Sequence, residues 1–100
     1  MELYQAEWCP HSHRVRQRLS ELGLDVTVRQ VAADPGERDE LTRVSGQSSI
    51  PVLVSDDGET FCGDEDILSF LERFPERADA AKHRAKAREE VPEFEELRGR

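Results

Sequence analysis

Cys9 stands in the run Trp8-Cys9-Pro10-His11-Ser12, between a short apolar stretch and the start of an amphipathic one. A sulfur at a strand-to-helix junction faces unsatisfied backbone N–H groups and the positive end of the helix dipole. Both favour its ionised form. The thiolate is the reactive species, so the chemistry offered here is nucleophilic attack, above all on a disulfide. Pro10 suits the first helical turn, where a missing N–H costs no hydrogen bond. Ser12 occupies the position at which a C-x-x-C motif carries its second cysteine. The motif is therefore monothiol, and any second sulfur must come from elsewhere.

The other cysteine, Cys62, reads in two ways. It is either a resolving partner for Cys9 or a buried structural thiol, and a disulfide would need Cα atoms within about 7 Å. Cys9, His11 and His13 are all metal-ligand types, but residues two apart on a helix point to different sides, so no metal site is expected. His11 reads instead as an exposed residue of the motif whose protonated form would lower the thiol pKa. Trp8 is expected to shield one side of the pocket. Glu7, two residues before the sulfur, is expected to raise the Cys9 pKa and to disfavour an anionic ligand.

Charge narrows the partners. The 100 residues carry 22 Asp plus Glu against 14 Lys plus Arg, a formal net charge of -8. All the basic residues except Lys82 and Lys86 are Arg. Such a chain repels phosphate backbones, which argues against nucleic-acid binding. Acid excess with scarce Lys matches either a protein adapted to high salt (a halophile) or an ordinary acidic protein. No apolar run is long enough to span a bilayer and no basic-then-apolar leader opens the chain, so a cytoplasmic protein without membrane partners is expected. Two cysteines are too few for a secreted disulfide scaffold and fit a reducing compartment.

The elements that must position Cys9 follow from periodicity and punctuation. Residues 3–6 read as a strand, and residues 11–22 as a helix with Val15, Leu19 and Leu22 inward and Gly23 as its cap. Residues 25–31 alternate through Val26, Val28 and Val31 as a second strand. Asp34-Pro35-Gly36 breaks it, and residues 37–44 form a helix ended by Gly46. Residues 50–54 and 59–62 are strands joined at Asp56-Asp57-Gly58, a hairpin signal. Gly63-Asp64 opens another helix, with Asp64 as N-cap and Pro75 as stop. Beyond residue 75 charges crowd in; residues 78–90 suit a solvated helix and the last residues should fray. The expected division is a domain over residues 1–75 and a charged helical extension over residues 76–100. A βαβ unit, a helix, a β-hairpin and a helix make an α/β chain with the thioredoxin fold, a four-stranded mixed sheet flanked by helices.

Three stretches over residues 1–75 resemble the glutaredoxins and the N-terminal domains of glutathione transferases. These are Cys9-Pro10-His11-Ser12, Ser49-Ile50-Pro51-Val52-Leu53, and Cys62-Gly63-Asp64-Glu65-Asp66-Ile67. The resemblance implies a cis peptide bond before Pro51 and an Ile50 backbone able to pair with an incoming peptide-like thiol. It implies a hydrogen bond from Ser12 to the sulfur. It also implies N–H groups at residues 63–65 that receive the γ-glutamyl end of glutathione or a related low-molecular-weight thiol. Two departures stand out: Glu7 and Trp8 fill the stretch where the family has a basic residue, and Cys62-Gly63 replaces its Gly-Gly. The implied function is a thiol–disulfide oxidoreductase, a redox-active electron-transport protein. Cys9 would exchange with mixed disulfides between protein substrates and a small thiol. A monomer is expected. The alternatives are a non-catalytic thiol-ligand or iron–sulfur-cluster module, in which Pro10-His11 replaces the Gly-Phe of C-G-F-S proteins, and a stand-alone transferase-like N-terminal domain.

Overall fold

The computed structural model describes residues 1–89 and 92–97. Its elements run β1 (Glu2–Gln5), α1 (Pro10–Leu22), β2 (Thr27–Gln30), a single 3-10 turn at Pro35–Glu37, α2 (Asp39–Ser45), β3 (Val52–Val54), β4 (Thr60–Cys62), α3 (Asp64–Leu71), α4 (Ala80–Ala87) and α5 (Phe94–Leu97). The sheet order is β2-β1-β3-β4. β1 and β2 are parallel because α1 crosses between them, whereas β3 runs antiparallel to both β1 and β4. This is the thioredoxin-type arrangement read from the sequence.

Period-two alternation splits the sheet into two faces. Leu3 and Leu53 point into a core with Val15, Leu19 and Leu22 of α1 and Ile67, Phe70 and Leu71 of α3. Their neighbours Tyr4 and Val52 point the other way, onto Leu41 of α2. The sheet centre is thus covered on both sides, which fixes the β1-to-α1 junction where Cys9 lies.

Several expectations shift. The valine alternation over residues 25–31 predicts a half-buried strand, yet all four residues of β2 are exposed and Val28 is 41% exposed. β2 is the sheet's edge, so only β1 flanks it. The break at residues 34–36 winds into the 3-10 turn, capped by the Asp34 side chain, and α2 starts later, at Asp39. β3 begins at Val52, leaving Ile50 outside the ladder. Asp64 is the first residue of α3 rather than its cap; Gly63 takes that role at φ 89°, a conformation that favours glycine. α3 ends at Leu71, ahead of Pro75.

α4 is less solvated than its composition suggests. Ala80 is buried, the Arg77 N–H donates to the Glu21 carbonyl at 3.0 Å, and Arg84 reaches the Glu21 carboxylate at 2.9 Å. His83 contacts the Ser20 hydroxyl at 3.3 Å and Asp79 at 3.1 Å, a tie on the outer surface of α1. The helix expected over residues 78–90 is shorter, Ala80–Ala87; residue 90 and residues 98–100 of the tail expected to fray lie outside the described residues. Among the described residues no helix is long and apolar enough to cross a membrane.

Candidate functional site

Cys9 is the N-cap of α1. Its backbone is extended (φ -83°, ψ 118°), and the Ser12 N–H donates to Sγ at 3.4 Å while the His13 N–H donates to the Cys9 carbonyl at 2.9 Å. A sulfur thus occupies the place that a Ser or Asp oxygen fills in most helices. Pro10 sits exposed in the first turn. Ser12 is fully buried and its Oγ accepts the Ala6 N–H at 3.4 Å, which leaves its hydroxyl hydrogen for the sulfur. No acidic residue enters the first turn of α1.

Cys9 is only 6% exposed, and burial by itself would push the thiol up. The Ser12 hydroxyl, the Ser12 and His11 N–H groups and the Arg16 guanidinium outweigh that cost, and the thiol lies below its ordinary pKa. This corrects the expectation for Glu7. The Glu7 side chain is 88% exposed and its carboxylate is engaged by Arg16 at 3.2 Å, so it is held outward and neutralised.

Arg16 reads from its spacing only as a residue on the outer face of α1, and its bracing role was not legible there. It sits nearly two turns along α1 and reaches back to the Gln5 side chain, the Ala6 carbonyl at 3.3 Å and the Glu7 carbonyl at 3.5 Å. It therefore braces the loop that presents Cys9 and adds positive charge near the sulfur. Arg38 was missed too. Buried at the start of α2, it donates to the carbonyls of Ala32 at 2.7 Å, Ser48 at 2.8 Å and Ala33 at 3.2 Å. It anchors the segment leading to Ile50. The available signal was a cation at a helix N-terminus, where the dipole disfavours one.

The second and third motifs meet each other. The Ile50–Pro51 bond is cis, as the resemblance implied, Pro51 is buried, and Ile50 is half-buried beside it. The Pro51 carbonyl accepts the Gly63 N–H at 2.9 Å, which ties this loop to the start of α3. That bond also spends the Gly63 N–H, so the expectation that it receives a carboxylate from a ligand fails for this group. Asp64 then links the two helices: His11 Nδ1 lies 3.1 Å from its Oδ2, and Arg14 donates to the same oxygen at 3.0 Å. The His11 bond first, and Arg14 with it, hold the Asp64 carboxyl below its usual range against the cost of burial.

Trp8 is 64% exposed next to Cys9, presenting an apolar surface instead of packing down. His13 is exposed and lines a separate depression with Glu7, Ser20 and His83, away from His11 and Asp64. Among the described residues no three His, Cys, Asp or Glu side chains gather as metal ligands. Cys62 packs against the Tyr4, Leu41 and Val52 cluster under α2, and both thiols are free.

A sequence profile described as Glutaredoxin matches residues 1–59. A glutaredoxin of Pseudomonas aeruginosa is 37% identical over 73 residues, covering 71% of this chain and 82% of the relative. Among solved structures, a glutathione S-transferase domain-containing protein of Marinobacter aquaeolei superposes with a TM-score of 0.65 at 27% identity, over 75% of this chain and 39% of that one. Glutaredoxin 2 of Salmonella typhimurium, solved in complex with glutathione, shares the fold with a TM-score of 0.64 at 24% identity, over 71% of this chain and 32% of that one. This chain thus spans well under half the length of those two structures. The sulfur-capped helix, the cis-proline loop and the profile match over more than half of the chain agree: the protein belongs to the glutaredoxin family.

Proposed function

We propose that the protein is a monothiol thiol–disulfide oxidoreductase in which Cys9 alone carries the exchange. The Cys9 thiolate attacks the small-thiol sulfur of a mixed disulfide P–S–S–R. A bond forms between Cys9 and that sulfur, the bond to the protein substrate breaks, and the departing thiolate takes up a proton. A second small thiol, deprotonated, then attacks the sulfur bound to Cys9. The disulfide R–S–S–R leaves and the Cys9 thiolate returns. In sum, P–S–S–R and RSH become P–SH and R–S–S–R, with the small thiol as reductant and no second protein sulfur consumed.

The observation that carries this reading is the environment of Sγ. It caps α1, takes the Ser12 N–H at 3.4 Å, and has a serine where a resolving cysteine would stand. The ligand-facing roles follow the same reading. Trp8 offers an apolar wall, the Ile50 backbone lies outside the ladder beside cis-Pro51, and Gly63 and Asp64 close the far side. We take residues 1–75 as the exchanging unit and residues 76–100 as an extension, of which α4 is braced on α1 through Arg84 and His83. A reducing compartment such as the cytoplasm would supply the small thiol.

Single-cysteine variants test the proposal with a mixed disulfide of a peptide and a small thiol. Cys9→Ser should reduce exchange by about a thousandfold or more. Cys62→Ser should stay within about twofold of the parent, because Cys62 is a partly buried residue packed against the α2-side cluster. Full activity in Cys9→Ser would overturn the proposal, and loss of activity in Cys62→Ser would convert it to a two-cysteine mechanism.

A further inference from the structure

β2 leaves its outer edge open. The Thr27 and Val31 N–H groups donate inward, to the Met1 carbonyl at 2.9 Å and the Gln5 carbonyl at 3.2 Å. Alternation along a parallel strand therefore turns the N–H and C=O groups of Val28 and Gln30 outward, where the sheet has no further strand. Beside that edge, between β2 and the start of α2, lies a cavity of about 370 Å³. Tyr4, Arg29, Val31, Glu37, Asp39 and Leu41 line it, and no residue of the Cys9 site does. Tyr4 is 4% exposed, and its hydroxyl has no hydrogen-bond partner among the described residues. No fully enclosed side-chain oxygen among them lacks a partner, so the Tyr4 oxygen must reach the cavity. Burial first, then the Glu2 and Glu40 carboxylates, push its pKa up, so the hydroxyl stays protonated and unspent. The other charges here are mostly taken: Arg29 by Glu2, Glu40 by Arg43, and Arg38 by three carbonyls. Glu37 and Asp39 have no ion pair among the described residues, and both are exposed. On the other face of the sheet Val28, in register with the core residue Leu3, is 41% exposed.

We propose that β2 accepts an extended segment of a basic protein partner as an added strand, with a Lys or Arg side chain in the Tyr4 cavity and its apolar neighbours over Val28. The period of two in an extended chain puts those side chains on opposite faces, which is how the cavity and Val28 are placed. The outward groups of Val28 and Gln30 pair with the segment's backbone. Inside the cavity the aliphatic stem packs on the Tyr4 ring and Leu41, while the cationic head meets the Tyr4 oxygen and the carboxylates of Glu37 and Asp39. A second copy of this chain suits the edge less well, because two chains of net charge -8 repel each other. The docking site stands independently of the exchange reading above.

Tyr4 is the only tyrosine, so 3-fluorotyrosine gives a single fluorine signal from the cavity itself. The probe is an acetylated, amidated peptide Thr-Val-Lys-Val-Lys-Val-Thr titrated into the whole chain. It has no cysteine, so it reports docking whatever is found for Cys9. The fluorine signal should shift, and the amide signals of Val28 and Gln30 should move with it while those of Trp8 and Ser12 stay in place. Replacement of both peptide lysines by Glu should weaken binding by about tenfold at low salt. N-methylation of alternate peptide amides, which removes strand pairing and keeps the charges, should weaken it by about tenfold as well. Tyr4→Phe, read from the amide signals, should cost about fivefold. Glu37→Gln combined with Asp39→Asn should bring the Lys and Glu peptides toward equal affinity. Absence of a fluorine shift, equal affinity of the unmodified chain for the two peptides, or undiminished binding of the N-methylated peptide would each overturn the inference. A dimer in sedimentation whose β2 amides are protected before any peptide is added would overturn it in favour of self-pairing.

Discussion

Two helix N-termini frame the site, and the chain treats them in opposite ways. α1 begins with a sulfur cap and has no acidic residue in its first turn, so its N–H groups and dipole are left to stabilise the thiolate. α3 begins with a glycine cap that makes no side-chain hydrogen bond and places three carboxylates in its first turn. The same backbone physics is directed outward at one end, toward chemistry, and satisfied internally at the other. The difference teaches that a helix start is an anion site only where the sequence withholds its own anions. Here Asp64 turns the second helix start into a brace between α3, His11 and Arg14.

Gly63→Ala should have the largest effect of the changes that break this contrast. Nothing lies within 4 Å of the added methyl, but φ is +89°, a conformation L side chains rarely adopt. The strain should cost about 2 kcal/mol, read as a lowered urea midpoint with an unchanged slope. An unaltered midpoint would mean that the α3 cap does not depend on glycine. Next comes His11→Glu, which gives α1 the acid that α3 already has. A carboxylate two residues from the sulfur, robbed of its bond to Asp64, should raise the Cys9 pKa by about one unit. Iodoacetamide alkylation against pH measures this directly, and an unshifted profile would show that the first turn of α1 does not tune the thiol.

Much of this contrast was readable in the amino-acid order, and the unread part is instructive. Gly23, Gly46 and the Asp57-Gly58 turn punctuate the chain, and the leucines of α1 keep helical spacing, so the element order emerged. Local signals also placed Cys9 at a helix start, and the resemblance to the glutaredoxins implied the cis bond before Pro51. They failed where a residue's role is set by a distant partner. Asp64 has the residue type of a cap, but the Gly63 carbonyl already accepts the Ile67 N–H at 3.1 Å, which sets the cap one residue earlier, while the Gly63 N–H is held by the Pro51 carbonyl. Glu7 looks like an unfavourable neighbour until Arg16 folds back to meet it. The valines near β2 alternate as buried strands do, because periodicity cannot tell a sheet edge from its centre. The contact of Arg84 with Glu21 spans 63 positions and leaves no local trace.

Glu21 supplies a control away from both helix starts. Burial opposes its ionisation, but Arg84 and Arg18 more than compensate and hold its carboxyl below the usual range. Glu21→Gln should cost about 1 kcal/mol and speed hydrogen exchange in α4. It should leave Cys9 alkylation unchanged, since the ion pairs of Glu21 run to Arg18 and Arg84, at the far end of α1 from the sulfur. Altered alkylation would show that the extension communicates with the thiol.

The smallest effect, and the finest probe of the contrast, is the acid dependence of Asp64. Its folded pKa is depressed, so folding gains from this group at all pH above its unfolded value. The gain fades as the pH falls through the lower folded value. Asp64→Asn cannot ionise and should therefore flatten the acid limb of stability against pH. Its cost near neutrality should stay below about 1 kcal/mol, because His11 and Arg14 are more than half exposed. The loss should also be greater at low salt than at high salt. Equilibrium urea unfolding between pH 2 and pH 7 in parent and variant reads all three features. If the two curves ran parallel across that range, Asp64 would not be the internal anion of α3, and the two helix starts would differ in sequence without differing in electrostatics.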